Sequence, residues 1–445
     1  MIIKNRAALA TTELRKQALA IVEAGINRVL PTNIMKSVVG YDPAGRVLAV
    51  ADTSYSLAQG RLFVIGGGKA SGLMAEVLEG IVPDISAGVV NCKSRDYKTS
   101  KIKVIAAGHP IPDERGVNGV KEMLALKDSH SIDGNDFIIC LISGGGSALM
   151  PCPVSEVGLE DKQKITELLL GSGAEIGEIN AVRKHLSRIK GGRLGRFYSP
   201  ATVISLVLSD VVGNDLAVIA SGPTFPDPTT FSDAYGVLER YGLLARAPQS
   251  VTRFLGRGCQ GKVAETPKEL SNCDNYIIGD NRLALQAMLE KAKRIGFTPC
   301  IVTAEQKGDT TAVARSRAGE ILGSRHAACN ALIIGGETTP KLPALAGKGG
   351  RNQHYAAESM LAMKDYPGQW VIASIGSDGS DFLPDVAGAI VDNSSFAAAE
   401  ALGLDVKSYL DRCDSNTLLD RIGRSLVITG DTGTNVGDVV LYLIG

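Results

Sequence analysis

Hydrophobic residues along this chain follow two spacings, and their order predicts alternating helices and strands. A helix with an N-cap is indicated near the start, where Thr11 and Thr12 precede an apolar stripe. That stripe consists of Leu14, Ala18, Ile21, Val22 and Val29. Short β-branched runs then alternate with helical stripes, at residues 62–65, 88–91, 104–107, 137–142 and 203–208. The alternation predicts βαβ units and a mainly parallel sheet with helices on both faces.

This regular alternation fades between about residues 243 and 275, and we expect a domain junction there. A second series of strand-like runs comes after it, at 276–279, 300–303, 331–336, 370–376, 425–430 and 439–444. Helical stretches are expected between them, at 281–295, 310–326, 351–363 and 395–402. The length agrees with two domains, because single cores stop growing near roughly 250–300 residues and this chain has 445.

Composition and charge narrow the classes of function. Lys+Arg and Asp+Glu each number 47, so no global field steers the chain toward nucleic acid or a membrane surface. The charged N-terminal segment does not resemble a signal peptide, and no apolar run is long enough to predict a membrane-spanning helix. Eight scattered cysteines without a C-x-x-C pair indicate reduced thiols, so we expect a cytoplasmic protein. The five histidines lack the spacing of a zinc site.

Glycine-rich turns follow four of the predicted strands and are candidate anion-binding loops. Because glycine has no Cβ, the backbone can approach an anion and turn its N–H groups toward it. The alternative is a tight turn that packs a helix on a strand, and the serine-flanked triple glycine favours the anion site. The turns contain Gly67 and Gly68, then Ser143, Gly144, Gly145, Gly146 and Ser147, then Glu337, and finally Thr434 and Asn435.

Neither common nucleotide-binding signature is present. The segment GGGKAS at 66–71 lacks the glycine spacing of the Walker loop. No strand is followed by a clean G-x-G-x-x-G with an acidic residue about 20 positions later. A kinase or an NAD enzyme with this sequence must therefore use another loop design.

Cations at three places are candidates for binding an anionic substrate. Lys69 directly follows a triple glycine at a predicted helix start, where a lysine opposes the helix dipole but suits a phosphate. Arg351 occupies the same position after 347–350, and its guanidinium can clamp a carboxylate or a phosphate. In the basic segment 179–194, Arg183 and Lys184 are candidates together with Asn180. The alternative for each cation is a solvated surface position.

Acidic residues that follow predicted strands are candidate ligands for Mg²⁺. This ion is held by one or two carboxylates together with substrate phosphates. The alternative is that these residues form Asx-turns or N-caps. The candidates are Asp210, Asp215, Asp378, Asp381 and Asp385.

Ten segments of the chain resemble the glycerate 2-kinase family, whose C-terminal module is called MOFRL and some of whose members are labelled hydroxypyruvate reductase. In order they are GGGKASGLMAEVL, AAGHPIPDERG, LISGGGSALM, EINAVRKHLSRIKGGRL, LVLSDVVGNDLAVIASGPTFPDPTT, IIGGETT, GKGGRNQ, SDGSD, VAGAIVD and TGDTGTNVGD. The resemblance implies an α/β fold of two domains with the active site in the cleft between them. A Rossmann-like domain is expected at 1–250, and a smaller α/β domain at 270–445 with the MOFRL module at about 328–445.

The same resemblance implies a kinase that phosphorylates a small hydroxy acid, with D-glycerate and its 2-hydroxyl as the expected acceptor and ATP and Mg²⁺ as cofactors. It identifies Lys69, Arg351 and Asp210 as the expected catalytic residues. Among the acidic candidates, Asp210 and Asp378 are the expected metal ligands. The expected substrate- or nucleotide-binding residues are Gly67, Gly68, Ser143, Gly144, Gly145, Gly146, Ser147, Asn180, Arg183, Lys184, Glu337, Asn352, Asp381, Thr434 and Asn435.

The sequence departs from the family pattern at the rim of this expected site. The usual DGPTDAAGA reads DFLPDVAGA at 381–389, and the usual TGPTGTNVND contains Asp431 and Gly437. A kinase of a related sugar acid therefore stays open, as does an NAD(P)H-dependent hydroxypyruvate reductase. A third alternative is a protein that binds a hydroxy acid without chemistry. The sequence also leaves open which nucleotide serves and whether copies of the chain assemble.

Overall fold

Two α/β units make up the computed structural model, which describes residues 1–445. The central unit contains Ile34–Ile278, and the terminal unit contains Met1–Asn33 together with Gly279–Gly445. This division differs from the expected one, because the N-terminal helix belongs to the terminal unit and not to a first domain at 1–250. The second boundary also lies slightly beyond the expected junction at 243–275.

The elements up to residue 279 include most of the helices and the first nine strands. The first are α1 (Arg6–Leu9), α2 (Glu13–Arg28), α3 (Pro31–Val38), β1 (Val39–Asp42), β2 (Val47–Val50), β3 (Thr53–Ser56), β4 (Leu62–Gly67), α4 (Ser71–Ile81), β5 (Ile85–Cys92), β6 (Ile102–Ala106) and α5 (Glu114–Ser129). They continue with β7 (Phe137–Ser143), α6 (Gly146–Leu149), α7 (Leu159–Gly171), α8 (Ile176–His185), α9 (Arg193–Tyr198), β8 (Thr202–Leu208), α10 (Phe231–Arg240), α11 (Gln249–Cys259) and β9 (Cys273–Gly279).

The remaining elements belong to the terminal unit. They are α12 (Asn281–Arg294), β10 (Pro299–Gln306), α13 (Thr310–Leu322), β11 (Ala331–Gly336), α14 (Arg351–Ala362), β12 (Trp370–Gly376), β13 (Gly388–Asp392), α15 (Asn393–Ala401), α16 (Val406–Asp411), α17 (Ser415–Ile422), β14 (Leu426–Val427) and β15 (Asp438–Ile444). None of the helices in the molecule is both long and apolar enough to span a bilayer.

The central unit is built on the parallel sheet that the β-branched runs predict. Its strand order is β6-β5-β4-β7-β8-β9, and the pairs from β6 to β8 are all parallel. The registers place Gly67 beside Ile142 and Ser143 beside Leu208. The carboxyl ends of β4, β7 and β8 therefore meet at one edge of the sheet, which is where ligands bind in this class of fold. A separate antiparallel sheet of β1, β2 and β3 was not predicted from the sequence.

The terminal unit contains a mixed sheet with the order β10-β11-β15-β12-β13-β14. Only β10 and β11 pair in parallel, because β15 enters between β11 and β12 and runs antiparallel to both. Asp438, the first residue of β15, is therefore level with Gly336 and with Gly376, the last residues of β11 and β12. Residues 425–430, which were expected to form a strand, contribute only the two residues of β14.

The N-terminal helix packs into the terminal unit because its apolar stripe joins the core on one face of this sheet. Ile21, Val22 and Ile26 of α2 are fully buried against residues of α12, β12 and β15. The expected N-cap is confirmed, since the Thr12 side chain accepts a hydrogen bond from the backbone N–H of Arg15. On the opposite face, alternate residues of the same strands pack against α14 in a second core.

Candidate functional site

The turn that carries Lys69 is shaped by the close approach of β4 and β7. Gly66 and Gly68 have φ angles of 140° and 156°, which favour glycine. A Cβ at Gly66 would lie 2.1 Å from the carbonyl oxygen of Leu141, and one at Gly68 would lie 2.1 Å from the Ser143 Oγ. Tight packing therefore requires these glycines, and it presents the half-buried Lys69 just before α4.

Hydrogen bonds tie this turn to the serine-flanked triple glycine. The backbone N–H of Lys69 donates to the Gly144 carbonyl at 2.8 Å. The backbone N–H of Ala70 donates to the Ser143 Oγ at 2.9 Å, and that hydroxyl also contacts the hydroxyl of Ser71. Ser143 is fully buried, so its side chain holds the two turns together and does not face a ligand.

Gly145 and Ser147 connect the triple glycine to two further parts of the central unit. Gly145 has a φ of 78°, and a Cβ there would lie 3.2 Å from the Lys69 side chain. The Ser147 hydroxyl is 2.8 Å from that of Ser221, which in turn donates to the Asn180 side chain at 3.2 Å. These contacts bring Lys69, the triple glycine and Asn180 into one neighbourhood.

The basic segment divides into paired and unpaired cations. Lys184 is buried and its ammonium bonds Asp227 at 3.0 Å, so it serves as an internal ion pair. Arg183 makes no ion pair, and burial lowers the pKa of its guanidinium. The charge of Arg183 contributes to a lowered pKa at two buried lysines that the sequence did not single out, Lys162 and Lys190. Their only sequence signal was membership of amphipathic or basic stretches.

The acidic loop after β8 contains one candidate ligand and one turn residue. Asp210 is half-buried and lies two residues beyond Leu208, at the same edge of the sheet as Lys69. Asp215 accepts a hydrogen bond from the backbone N–H of Ala217, which is an Asx-turn.

In the terminal unit, Arg351 is the first residue of α14 and forms ion pairs with two carboxylates. Its Nε and Nη2 bond the two oxygens of Asp438 at 2.6 and 2.9 Å, and its Nη1 is 3.1 Å from Glu337. Burial lowers the pKa of Arg351, but Asp438 and Glu337 raise it by more, so the guanidinium stays cationic. Asp438 was not among the predicted site residues, because only the antiparallel insertion of β15 places it here.

Asp381 caps the helix that begins with Arg351. Its carboxylate oxygens accept the backbone N–H groups of Asn352 and Gln353 at 2.9 and 2.8 Å. Burial raises the pKa of Asp381, while these hydrogen bonds oppose the change. The Asn352 side chain donates to Asp438 and accepts from Ser374, so it too is buried and fully engaged. Both residues position Arg351 and offer no exposed group to a ligand.

Two loops beside Arg351 hold the remaining candidates. Asp378 is half-buried, and its Oδ1 accepts the backbone N–H of Ser380. Its carbonyl accepts from Thr432. Thr434 is buried and donates to the carbonyl of Val29, and the buried Asn435 precedes β15. Asp385 is exposed on the following loop.

The candidate acids do not form a complete metal centre by themselves. No group of three or more His, Cys, Asp or Glu side chains in residues 1–445 is arranged to hold a metal ion. Asp210 and Asp378 lie on loops at sheet edges and are half-buried. Each acid by itself can supply a carboxylate to a hard cation that takes its other oxygens from a bound phosphate.

Comparison with known proteins gives consistent matches over most of the chain. Residues 17–256 match the family described as a domain of unknown function, DUF4147, and residues 330–438 match the MOFRL family. The chain is 41% identical to the glycerate 2-kinase of Pyrococcus horikoshii, over 87% of this chain and 88% of that protein. It is 37% identical to a putative hydroxypyruvate reductase of Agrobacterium vitis, over 89% of this chain and 90% of that protein.

A solved structure agrees with the fold. The crystal structure of glycerate kinase from Thermotoga maritima matches with a TM-score of 0.83 and 36% identity, over 97% of this chain and 100% of that one. The similarity therefore includes both α/β units.

Proposed function

Because this chain belongs to the family of DUF4147 and MOFRL proteins that includes the glycerate 2-kinases, we propose that it transfers a phosphoryl group from ATP to the 2-hydroxyl of D-glycerate. The observation that carries the proposal is the bond between the Lys69 turn and the triple glycine, at the ligand-binding edge of a parallel sheet. This places a cation beside peptide groups that suit an oxyanion. The free cysteines are in keeping with a cytoplasmic enzyme.

Phosphoryl transfer needs little covalent help from the protein. Its loose transition state is stabilised mainly by positioning and by cations aimed at the phosphoryl oxygens. We assign the Lys69 ammonium to the transferring phosphoryl group. Arg351, whose orientation is fixed by Asp438 and Glu337, is assigned to an anionic group of the same reaction, such as the glycerate carboxylate.

Mg²⁺ is part of the proposal, with Asp210 of the central unit or Asp378 of the terminal unit as the residue that would hold it. When bound, the ion would neutralise negative charge on the phosphate oxygens. The backbone N–H of Ser380 already orients the Asp378 carboxylate within its loop. Asp210 alternatively orients the acceptor hydroxyl.

Substitution of the two cations tests the assignment. We expect Lys69→Met and Arg351→Met each to lower kcat/KM for glycerate by roughly 10²–10³-fold, because each removes a charge needed in the transition state. Lys103→Met and Arg325→Met are matched controls, since these exposed residues form surface pairs in the same two units. ADP release is the measurement, and phosphorus NMR of the product identifies the phosphorylated carbon. Folded variants that keep wild-type turnover would exclude the assignment.

The name of the Agrobacterium relative defines a second candidate, reduction of hydroxypyruvate. The purified protein is mixed with hydroxypyruvate and NADH or NADPH, and separately with glycerate and MgATP. Loss of the nicotinamide absorbance without ADP release would replace the kinase proposal. A panel of sugar acids in the ADP assay then decides whether the altered 381–389 loop has changed the acceptor.

A further inference from the structure

Three cationic side chains lie close together inside the central unit with no acid among them. Lys162 is on α7, Arg183 is on α8, and Lys190 follows α8. Lys162 and Lys190 are only 6% and 1% exposed. The Lys162 Nζ has no hydrogen-bond partner, Arg183 makes no ion pair, and the Lys190 Nζ reaches only the Ala220 carbonyl, at 3.3 Å. We call these three residues the cation cluster.

Lys184, which lies between Arg183 and Lys190 in sequence, shows how this protein neutralises a buried lysine with an acidic side chain of its own. Lys184 forms an internal ion pair with Asp227, and the backbone N–H and hydroxyl of Thr229 donate to the same carboxylate. Unpaired buried charges are costly, because desolvation is not offset by an attractive partner. Burial and the charge of Arg183 accordingly lower the pKa of Lys162 to about 8, and burial with the charges of Lys162 and Arg183 lowers that of Lys190 well below its usual range. The cluster therefore lacks a negative partner that its burial requires.

Contacts connect this cluster to the triple-glycine turn. Lys190 bonds the carbonyl of Ala220, and a Cβ at Gly146 would lie 2.8 Å from the Ala220 side chain. The next residue, Ser221, joins Ser147 to Asn180. Ala220 and Ser221 have φ angles of 50° and 63°, a backbone conformation that non-glycine residues seldom adopt. A strained turn thus links the unpaired cations to the predicted anion loop.

We infer that Lys162, Arg183 and Lys190 form a subsite for a phosphate group. A phosphate carries up to two negative charges and three terminal oxygens, which match several cationic donors better than a singly charged carboxylate does. The phosphate belongs either to the nucleotide or to the phosphorylated product. Only the choice of nucleotide or product as the source of the phosphate rests on the proposed function. The unbalanced positive charge of the cluster does not depend on which reaction the protein catalyses.

Binding of inorganic phosphate, measured by calorimetry on the full chain, tests the subsite. We expect Lys162→Met and Lys190→Met each to weaken phosphate binding by at least roughly 10-fold, in line with the loss of one charged hydrogen bond. Lys164→Met is the matched control, because Lys164 is on the same helix but exposed and paired with Glu167. Equal phosphate affinity in wild type, Lys162→Met and Lys190→Met would overturn the inference.

Thermal unfolding without ligand separates binding from a structural role. If the cluster awaits an anion, Lys162→Met removes an unpaired buried charge, so its Tm without phosphate should equal or exceed that of the wild type. Phosphate should then raise the Tm of wild type and Lys164→Met by more than that of Lys162→Met, because the stabilisation follows the affinity. A lower Tm of Lys162→Met combined with an unchanged rise on adding phosphate would show that the lysine only supports the fold.

ADP and 2-phosphoglycerate identify the source of the phosphate. Whichever of these two molecules places its phosphate in the subsite should bind more weakly to Lys162→Met than to wild type. The other molecule should bind equally well to both. The failure of the subsite proposal can be distinguished from the failure of the kinase proposal. Wild-type turnover of glycerate with cluster-independent phosphate binding would refute only the subsite, and cluster-dependent phosphate binding without turnover would refute only the kinase.

Discussion

Buried charge at single residues gives the molecule a measurable response to pH. Lys162 has a pKa of about 8 against its ordinary 10.5, because it is buried and near the charge of Arg183, with the Cys152 thiol as the opposing group. Between these pH values the unfolded chain binds more protons than the folded one, so the free energy of unfolding rises with pH. The contribution of Lys162 to this slope should approach one proton per molecule.

Urea unfolding at several pH values between 8 and 10 checks this slope. We expect the Lys162 contribution to disappear in Lys162→Met and to persist in Lys164→Met. Saturating phosphate should also flatten it, because a bound anion keeps the lysine protonated. A slope that is the same in wild type and Lys162→Met would show that Lys162 keeps its ordinary pKa.

Individual site residues were predictable only where a local motif carried the signal. Lys69 is a candidate from the sequence because a triple glycine and a helix start are adjacent there. Asp438 was not, since it becomes a partner of Arg351 only when β15 inserts beside β11 and β12. Lys184 and Arg183 are sequence neighbours, yet one is paired internally and the other is not. No local pattern distinguishes them.

At the scale of elements, the start of α14 depends on a contact that tolerates no added atom. A Cβ at Gly350 would lie 2.0 Å from the Asp381 carbonyl oxygen and 2.4 Å from its carboxylate. We expect Gly350→Ala to cost on the order of 1–3 kcal/mol of stability, as overpacking does. It should also lower kinase activity, because the cap that positions Arg351 would shift.

Gly319→Ala provides the control for this substitution. Gly319 is within helix α13 of the same unit, and a Cβ there would meet open space. Alanine should therefore stabilise α13, by about 0.5–1 kcal/mol. Urea unfolding and ADP release measure both effects, and equal behaviour of the two variants would contradict the proposed packing at Gly350.

Strands and helices with strong periodicity were predicted correctly, whereas elements without it were missed. The runs at 62–65 and 137–142 became β4 and β7, since buried parallel strands are continuously apolar. The β1–β3 sheet was missed, because its short strands alternate exposed and buried residues over only four positions each. Helix α11 was missed because it lies where the alternation had faded.

At the scale of the whole molecule, the stability of the terminal unit depends on one buried arginine of helix α2. Arg15 donates to Asp392, to the carbonyl of Arg424 and to Ser395, at 2.6, 2.6 and 2.8 Å. Arg15→Met would leave Asp392 buried without its partner, which costs about 3–5 kcal/mol. We expect the terminal unit to unfold at a lower denaturant concentration in this variant.

Trp370, the only tryptophan, is buried in the terminal unit and reports on its unfolding alone. The fluorescence transition should shift in Arg15→Met, while circular dichroism retains a later phase from the central unit. Arg325→Met, which removes an exposed pair, should shift neither. An unchanged fluorescence midpoint would contradict the role of Arg15.

The division into units was the least predictable property of the sequence. Segments that are adjacent in sequence usually pack together, so residues 1–33 were expected to join the strands and helices of the central unit. Their apolar stripe instead meets α12 and the strands of the terminal unit. Such a contact between distant segments leaves no trace in local periodicity.

The position of β15 in the middle of its sheet has a consequence for synthesis. Its residues are translated after those of every other strand in the two units, yet β11 and β12 have no other strand between them. All strands of the central unit are translated far earlier, so that unit can fold while translation continues. The terminal unit cannot complete its sheet until β15 has left the ribosome, and until then α2 lacks the part of its docking surface that β15 supplies.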